Sequence, residues 1–521
     1  MTRTAVINVV GLSESLLGPH TPRINAFRAV GALSRIDPAF PAVTCTAQST
    51  YLTGLTPAQH GIVGNGWYNR EMAEVQFWKQ SNHLVAGKKI WDVLREADPK
   101  FTCAKMFWWY NMYSSADWSV TPRPMYPADG RKFFDIYAWP YSIREEIKRD
   151  LGEFPFPAFW GPAAGVDSSR FAADAVSKWI AESAKWIERK YAPTMNLIYL
   201  PHLDYNLQRL GPAISNPVTT SGPTPSPSEE GSKAAGARLL FPSSEGSGVG
   251  SDARLAETQT VGAHGVTRPT SPIIADDLQR IDAIVGDLID FFAKQSVQVV
   301  LLSEYGISAV DTPVHLNRLF RERGWLTIKE ELGLELLDCG ASRVFAVADH
   351  QVAHVYLNDA SLESEVRTLL EKQPGIAEVW GAAEKKLHGL DHPRAGDLIA
   401  VAGERAWFTY YYWLDDKLAP DFARTVDIYR KPGYDPVELF LDPAIPMVKA
   451  KIAWRLLQKK LGFRMLMDVI PLDASLVKGS HGRRPTNPQE WPVIISGRAN
   501  SLPSQAIKST DVFEILSGLI R

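Results

Sequence analysis

The chain has 521 residues, 45% of them hydrophobic, with 56 basic and 58 acidic side chains. This length supports a large core and more than one structural unit, and the balanced charge argues against a general surface for nucleic acid or an anionic membrane. The chain has three scattered cysteines, Cys45, Cys103 and Cys339, which are too few to form a disulfide framework. With neither a signal peptide nor a stretch of about 20 apolar residues, we expect a cytoplasmic protein.

The first predicted element is a strand at 4–10, TAVINVV, which is almost continuously apolar and ends at Gly11. Such a run is typical of a central parallel strand that is buried on both faces. Its last residue is Val10, which has no group that binds a metal or a substrate.

The stretch 40–65, FPAVTCTAQSTYLTGLTPAQHGIVGN, organises the rest of the chain. An extended segment is predicted up to Val43 and a short helix from Thr46, so Thr44 falls at a strand-to-helix elbow. The first amides of a helix favour anions, and phosphate most of all. Glycines then punctuate a loop that brings Asn65 back towards Thr44.

The spacing P-x-x-T, then T-G-x-x-P-x-x-H-G-I-x-x-N, resembles the type I phosphodiesterase/nucleotide pyrophosphatase family of the alkaline phosphatase superfamily. The resemblance implies an α/β fold, in which a mostly parallel sheet is sandwiched by helices and carries a small α+β cap-like subdomain. It also implies that Thr44 is the nucleophile and that Asn65 contacts the phosphoryl oxygens. The family has a metal-binding Asp where this chain has Val10.

Aromatic residues are concentrated between Asn65 and Trp118. Most of them are expected to pack helices on the sheet. Trp67 and Tyr68 follow Asn65 directly, so we expect one of the pair to line the substrate pocket.

A helix is predicted at 168–191 and a buried strand at 196–200. The segment after the strand is similar to the family's P-D-x-x-G-H motif, with Asp204 in the place of one metal ligand and Gln208 in the place of the histidine. An amide oxygen is a harder and weaker ligand than imidazole. His202 is an alternative ligand, if it shares a face with Asp204 at the strand end.

Residues 213–273 are rich in Ser, Pro, Gly and Thr and predict a disordered surface insertion. A helix at 275–294 and a strand at 297–302 follow. The strand ends at Ser303-Glu304-Tyr305-Gly306, where the family has Ser-Asp-His-Gly and both middle residues bind the second metal. The resemblance therefore implies Glu304 as a metal ligand, whereas the Tyr305 phenol stays neutral near pH 7.

A strand at 345–357, a helix at 361–372 and a strand at 376–380 indicate a small subdomain. His350 and His354 share a face of the first strand and are assigned structural roles. His481 lies in a motif similar to the family's G-T-H-G, whose histidine completes the first metal site. The predicted organisation is a core at 1–212 and 274–310, the insertion at 213–273, a cap-like subdomain at 311–395, and a return to the core at 396–521.

Together these features predict a metal-dependent phosphoester hydrolase that acts on a small phosphorylated substrate. The metal set is Asp204, Gln208, His481 and Glu304, holding one divalent ion (zinc by resemblance, magnesium or manganese as alternatives) and doubtfully a second. Glu304 is either a ligand near Thr44 or the general base for its hydroxyl. Two alternatives are a non-catalytic relative that binds a phosphorylated ligand, and an enzyme of phosphonate cleavage or phosphoryl transfer. Neither a nucleic-acid nor a membrane partner is expected.

Overall fold

A computed structural model describes residues 1–129, 131–164, 174–212 and 271–521. The helices in these ranges are α1 Pro22–Val30, α2 Thr44–Thr53, α3 Pro57–His60, α4 Ile90–Ala97, α5 Ser142–Leu151, α6 Ala175–Tyr191, α7 His202–Leu210, α8 Pro272–Lys294, α9 Leu316–Glu322, α10 Glu363–Lys372, α11 Ala382–Leu387, α12 Val448–Lys460 and α13 Asp511–Ile520. The predicted insertion lies outside the described residues, except that 271–273 lead into α8.

The strands form one large sheet and several small ones. In chain order they are β1 Thr4–Val9, β2 Ala32–Asp37, β3 Gly66–Asn69, β4 Glu74–Phe77, β5 Cys103–Met106, β6 Trp118–Pro122, β7 Ile136–Trp139, β8 Met195–Leu200, β9 Gln298–Leu302, β10 Ser308–Ala309, β11 Thr312–Val314, β12 Ile328–Glu331, β13 Leu334–Leu337, β14 Val344–Asp349, β15 Val352–Leu357, β16 Ile376–Trp380, β17 Leu398–Ala402, β18 Ala406–Phe408, β19 Gly479–Ser480, β20 Val493–Ser496 and β21 Ile507–Lys508.

The large sheet has nine strands in the order β21-β2-β20-β9-β1-β8-β5-β6-β7. Strand β1 is parallel to both β8 and β9, which confirms the prediction of a buried central strand in a mostly parallel sheet. Antiparallel pairing is found at β2–β20, β20–β9 and β6–β7. Because β1, β8 and β9 are parallel and pair in register, their carboxyl ends lie at one edge of the sheet, where ligands bind in open α/β sheets.

A second sheet has four antiparallel strands in the order β14-β15-β17-β16. It contains the predicted cap-like strands, but it also takes in β17, beyond the predicted boundary at 395. The apolar sequence of β17 predicts a buried strand and does not show which sheet it joins. The chain rejoins the large sheet at β20.

The predicted single strand at 345–357 is a hairpin, in which β14 and β15 are joined at His350 and Gln351. His350 adopts a left-handed backbone conformation with φ of 63°. Residues other than glycine rarely adopt it, so the sequence carries no ordinary turn signal here. His350 therefore lies in the turn and not within a strand, whereas its structural role was predicted from a position on one face of a strand.

Candidate active site

Thr44 is the first residue of α2 and is almost completely buried. The preceding Val43 is extended, with φ of −133°, so the helix begins two residues before the predicted start at Thr46. The N-terminal end of this helix favours a negatively charged group beside Thr44. The Thr44 hydroxyl oxygen lies 3.3 Å from the hydroxyl of Tyr305.

Tyr305 is the side chain around which the site is assembled. Its hydroxyl donates a hydrogen bond of 3.4 Å to Oδ1 of Asp204. Its ring stacks on the imidazole of His481, with the ring centres 3.6 Å apart and the planes 8° from parallel. Thr44, Asp204 and His481 come from distant parts of the chain, and all three contact this one tyrosine.

Asp204 and Gln208 are four residues apart on α7 and therefore share a face of the helix. The Gln208 amide donates to Oδ2 of Asp204 at 2.7 Å and to the hydroxyl of Tyr434 at 2.9 Å. Burial raises the pKa of Asp204 to about 7. His202 lies in the first turn of this helix rather than at a strand end, and its Nδ1 contacts the Ser177 hydroxyl at 2.9 Å.

Glu304 follows β9 and is fully buried. Its Oε1 accepts hydrogen bonds from the side-chain amides of Asn8, at 2.5 Å, and Gln48. Burial raises the pKa of Glu304 to about 8, against the lowering effect of Gln48, Asn8 and the Thr44 hydroxyl. Oε2 is buried without a hydrogen bond of standard geometry. The carboxyl group of Glu304 is therefore largely protonated at neutral pH and interacts with the predicted nucleophile.

Asn65 connects α2 to the β14–β15 hairpin. Its Oδ1 accepts a hydrogen bond of 3.0 Å from the Cys45 amide, and its Nδ2 donates to Oδ1 of Asp349 at 3.1 Å. The Asn65 backbone amide donates to Oδ2 of Asp349 at 2.7 Å. These contacts position the start of α2 relative to the hairpin, and the phosphoryl contact of Asn65 stays a prediction.

Asp349 also orients His350. Nδ1 of His350 lies 2.9 Å from Oδ1 of Asp349, and Nε2 of the fully buried ring has no hydrogen-bond partner. Burial lowers the pKa of His350 well below its ordinary value, so the ring is neutral near pH 7. With the Nδ1 proton held by the carboxylate, Nε2 presents a lone pair.

Four aromatic rings form a column beside Thr44. Tyr434 stacks on His350 at 3.5 Å, His350 contacts His481 at 3.7 Å, and His481 stacks on Tyr305. Nδ1 of His481 donates to the Ala42 carbonyl at 2.8 Å, and its Nε2 is buried without a partner. Burial also lowers the pKa of His481 well below the ordinary value, so both imidazoles are neutral.

A cavity of about 50 Å³, measured for a water-sized sphere, opens beside these groups. Since roughly 10–15 Å³ of such volume holds one water molecule, the cavity has room for a phosphoryl-sized group. Its polar lining is Thr44, Asp204 and His350, together with the tyrosine hydroxyls. Aromatic and apolar side chains form the remaining wall: Trp78, Trp109, Phe159, Trp160, Tyr199, Tyr205, Tyr305, Ile428 and Tyr434.

Trp67 and Tyr68 do not line this cavity, contrary to the prediction from their position after Asn65. Strand β3 directs Tyr68 into the core of the small sheet, where its ring packs against Phe345 and Tyr356 at 4.9 and 5.3 Å. The Arg394 guanidinium lies 4.8 Å from the centre of the Trp67 ring. Trp78, just beyond the hairpin partner β4, lines the cavity instead.

The resemblance noted in the sequence implies a site for divalent metal. The donors predicted here do not fit a two-metal site, because amide and phenol donors occupy the carboxylates and Val10 is buried and apolar. Among the residues that the structure describes, no three His, Cys, Asp or Glu side chains are arranged to hold an ion. Within the predicted set, Asp204 accepts from Gln208 and Tyr305, whereas Nε2 of His481 and Oε2 of Glu304 have no hydrogen-bond partner of standard geometry in the described ranges. Binding of a single ion by Asp204, Gln208, His481 and Glu304 stays a prediction.

Several residues of the site were missed in the sequence. Gln48 follows Thr44 by four residues on a predicted helix, and Asn8 interrupts an apolar strand, so both carried a signal. Asp349 carried none, and His350 was assigned a structural role, because the turn that directs both residues to the site was unrecognised. Tyr434 lies far from every recognised motif.

The sequence and the fold of this chain are both similar to known proteins. The family model "type I phosphodiesterase/nucleotide pyrophosphatase" matches residues 4–435. Among solved structures, phosphonoacetate hydrolase from Sinorhizobium meliloti in complex with phosphonoformate aligns with a TM-score of 0.55 and 12% identity, over 100% of this chain and 96% of the other.

Two further solved structures are similar. An inactive variant of murine ectonucleotide pyrophosphatase/phosphodiesterase 5, in complex with AMP, aligns with a TM-score of 0.52 and 12% identity, over 100% of this chain and 95% of that one. The human counterpart aligns at 0.52 and 13%, over 99% and 94%. A search of curated proteins returned no match. Since the family model covers most of the sequence and the fold agrees, the chain belongs to the type I phosphodiesterase/nucleotide pyrophosphatase family.

Proposed function

We propose that this protein is a phosphoester hydrolase in which Thr44 is the nucleophile and Glu304 its general base. The family is one of phosphoester hydrolases. The observation that carries the proposal is the position of Thr44, which begins a helix, lines the cavity and interacts with a buried carboxyl group. Position at a helix start supplies a favourable field for the phosphoryl group that Thr44 would attack.

In the proposed first step, ionised Glu304 takes the proton of the Thr44 hydroxyl. The Thr44 oxygen forms a bond to phosphorus while the bond from phosphorus to the leaving oxygen breaks. The leaving group departs as an alkoxide or phosphate, and the enzyme holds a phosphothreonine with the proton on Glu304. The N-terminal end of the α2 dipole stabilises the charge that develops on the phosphoryl oxygens. The Tyr305 hydroxyl donates to Asp204 and lies 3.3 Å from the Thr44 oxygen, which it helps to position.

In the second step, water attacks the phosphothreonine and His350 takes its proton. Nε2 of His350 is suited to this role because it is neutral, lies beside the cavity, and is oriented through Nδ1 by Asp349. The Thr44 oxygen leaves phosphorus and recovers its proton from Glu304. The proton on His350 passes to the departed leaving group, which restores the enzyme and balances the reaction.

No step of this proposal is routed through a metal. The ion predicted at Asp204, Gln208 and His481 takes no step here; the contacts described for Asp204 are a hydrogen bond from Gln208 to Oδ2 and one of 3.4 Å from Tyr305 to Oδ1. Asp204 instead fixes the Tyr305 hydroxyl that faces Thr44. His481 supports the other side of the same tyrosine through its stacked ring.

The proposal is tested by incubating the full chain with an aryl phosphodiester, a phosphomonoester and phosphonoacetate. We expect release of the aryl alcohol from at least one phosphate ester, and a phosphorylated Thr44 in the intact-mass spectrum. Parallel assays contain a chelator or added zinc, manganese or magnesium. A protein that binds AMP or phosphate but turns over none of these compounds under any of the metal conditions would be a binding protein, and the proposal would be wrong.

We expect the substitution His350→Gln to slow the second step more than the first. Glutamine cannot accept the water proton, so phosphothreonine should accumulate, and the steady-state rate should fall by about 100-fold or more. A quenched time course followed by intact mass spectrometry measures both effects. His354→Gln is the matched control, because His354 is buried on the same hairpin and is hydrogen-bonded to Val63 and Gly396 rather than to the site. Equal loss of both steps in His350→Gln would contradict this role.

A further inference from the structure

Helix α12 exposes a row of large apolar side chains to solvent. None of its residues is buried. Ala450, Ala453, Trp454, Leu457 and Leu461 recur at the spacing of one helical stripe, and this stripe faces solvent. Trp454 is 57% exposed and Leu461 is 63% exposed. Large apolar side chains that are exposed side by side indicate an interaction surface, whereas single exposed apolar residues are common on any protein.

The segment that carries this stripe has an excess of basic residues. Residues 443–467 contain six basic residues and neither Asp nor Glu, although the whole chain is nearly neutral. Lys451 and Arg455 pair with Asp468. In the described part of the chain the other four form no ion pair. Lys449 and Lys460 border the stripe on one side, Lys459 lies on the opposite side of the helix in its last turn, and Arg464 follows the C-terminal end.

A neighbouring hairpin widens the surface. Arg464 donates to the Asp129 carbonyl at 3.3 Å, and the Lys459 ammonium lies 5.9 Å from the centre of the Phe134 ring. Phe134 is 45% exposed, and further exposed apolar side chains accompany it on the hairpin: Met125, Tyr126 and Phe133. Lys132 lies over the Tyr126 and Phe134 rings. We name α12 with 461–466, 125–129 and 131–134 the basic aromatic face.

The basic aromatic face is continuous with the cavity. Phe134 stacks on Phe156 with ring centres 4.6 Å apart, and Phe156 contacts Phe159 at 6.1 Å. Phe159 lines the cavity beside Thr44. A partner seated on the face would therefore lie next to the entrance of the site.

We propose that the basic aromatic face docks this protein on the surface of a lipid bilayer that contains anionic headgroups. An interfacial helix presents Trp, Leu and Phe to the acyl boundary and Lys and Arg to lipid phosphates, which is the arrangement seen here. The positive charge of the face complements an anionic surface. With the hairpin added, the face is broader than the groove of a protein partner that binds one helix. Among the described residues, no helix has the length and apolar character of a membrane span, so binding is peripheral. This differs from the expectation drawn from the charge balance of the whole chain.

The test is co-sedimentation of the full chain with vesicles of equal parts phosphatidylcholine and phosphatidylserine, compared with phosphatidylcholine alone. We expect binding to the anionic vesicles that weakens with added salt. The double variants Trp454→Ser/Leu457→Ser and Lys459→Glu/Lys460→Glu should each reduce vesicle affinity by at least about tenfold. Hydrolysis of a water-soluble ester is the readout that should not change, since these residues lie outside the cavity.

The matched control is Leu387→Ser, because Leu387 is exposed to 80% on α11, away from the basic aromatic face. It should bind vesicles as the wild type does. Absence of binding to the anionic vesicles, or equal binding by the double variants, overturns the proposal. So does a dimer in sedimentation velocity that Trp454→Ser/Leu457→Ser converts to monomer, since a second copy would then be the occupant. None of these outcomes depends on whether Thr44 is the nucleophile.

Discussion

Replacing Thr44 with alanine should lower turnover of a phosphate ester by at least roughly 1,000-fold, the scale seen when a covalent nucleophile is removed. The Thr44 oxygen is the atom that forms the bond to phosphorus in the proposed mechanism, and Tyr305 is not placed to substitute for it because its hydroxyl is neutral and bound to Asp204. The variant should also form no phosphorylated enzyme. Steady-state assays and intact mass spectrometry measure the two effects.

Two controls distinguish loss of the nucleophile from damage to the helix. Thr44→Ser keeps the hydroxyl and should retain part of the activity and the covalent intermediate. Thr46→Val removes a buried hydroxyl from the same helix, where it donates to the Ile62 carbonyl, and should stay within a few-fold of wild type. A Thr44→Ala protein that is folded and still turns over substrate at the wild-type rate would rule out the proposed nucleophile.

Replacing Glu304 with glutamine should reduce turnover by about 100- to 10,000-fold and should remove a pH dependence. Burial raises the pKa of Glu304 to about 8, so the carboxylate that accepts the Thr44 proton becomes more abundant as pH rises through 8. Wild-type activity should therefore rise with pH up to this value and then level off. The groups that act electrostatically on Glu304 or are affected by it are Asp204, Tyr51, Tyr199, Tyr305 and Cys45.

Stability provides a second readout for the same variant. In the folded protein Glu304 keeps its proton up to about pH 8, whereas the unfolded chain loses it near the ordinary value of 4.5. The contribution of this group to the free energy of unfolding therefore falls as pH rises from 4.5 to 8. Glu304→Gln should lose that part of the dependence in denaturant titrations at several pH values.

Asp277→Asn is the matched control for Glu304. Asp277 is also a buried acid whose pKa is raised, to about 6, but it accepts a hydrogen bond from Asn206 and does not line the cavity. Its variant should keep the wild-type rise of activity with pH. If Glu304→Gln also keeps that rise, the base must be another group.

Much of the fold followed from local patterns in the sequence. The apolar runs at β1, β8 and β9 predicted central parallel strands, and α8 followed from its helical spacing, because burial on one or two faces leaves a clear period. The β14–β15 hairpin was missed because the turn has neither glycine nor asparagine. His350 itself adopts the left-handed backbone conformation that these residues usually supply. The place of strand β17 in the small sheet was not predicted, because pairing between distant strands leaves no mark in a single apolar segment.

The candidate site was predictable to the extent that it uses recognisable motifs. Thr44, Asp204, Glu304 and His481 were selected by their register, and the structure brings them into one neighbourhood around Tyr305. Their chemistry was not predictable in the same way. Whether a carboxylate meets a metal or an amide depends on neighbours such as Asn8 and Gln48, which the motif does not include.

The turn at His350 also means that the machinery is divided between two sheets. Thr44 begins a helix that packs beside the large sheet, whereas His350, the proposed base for water, lies at a turn of the small sheet and is linked to the Thr44 segment through Asp349 and Asn65. In the proposed mechanism, a change confined to this two-residue turn would alter the decay of the phosphothreonine and leave its formation intact. The same change would favour transfer over hydrolysis wherever an alcohol can take the place of water as the acceptor.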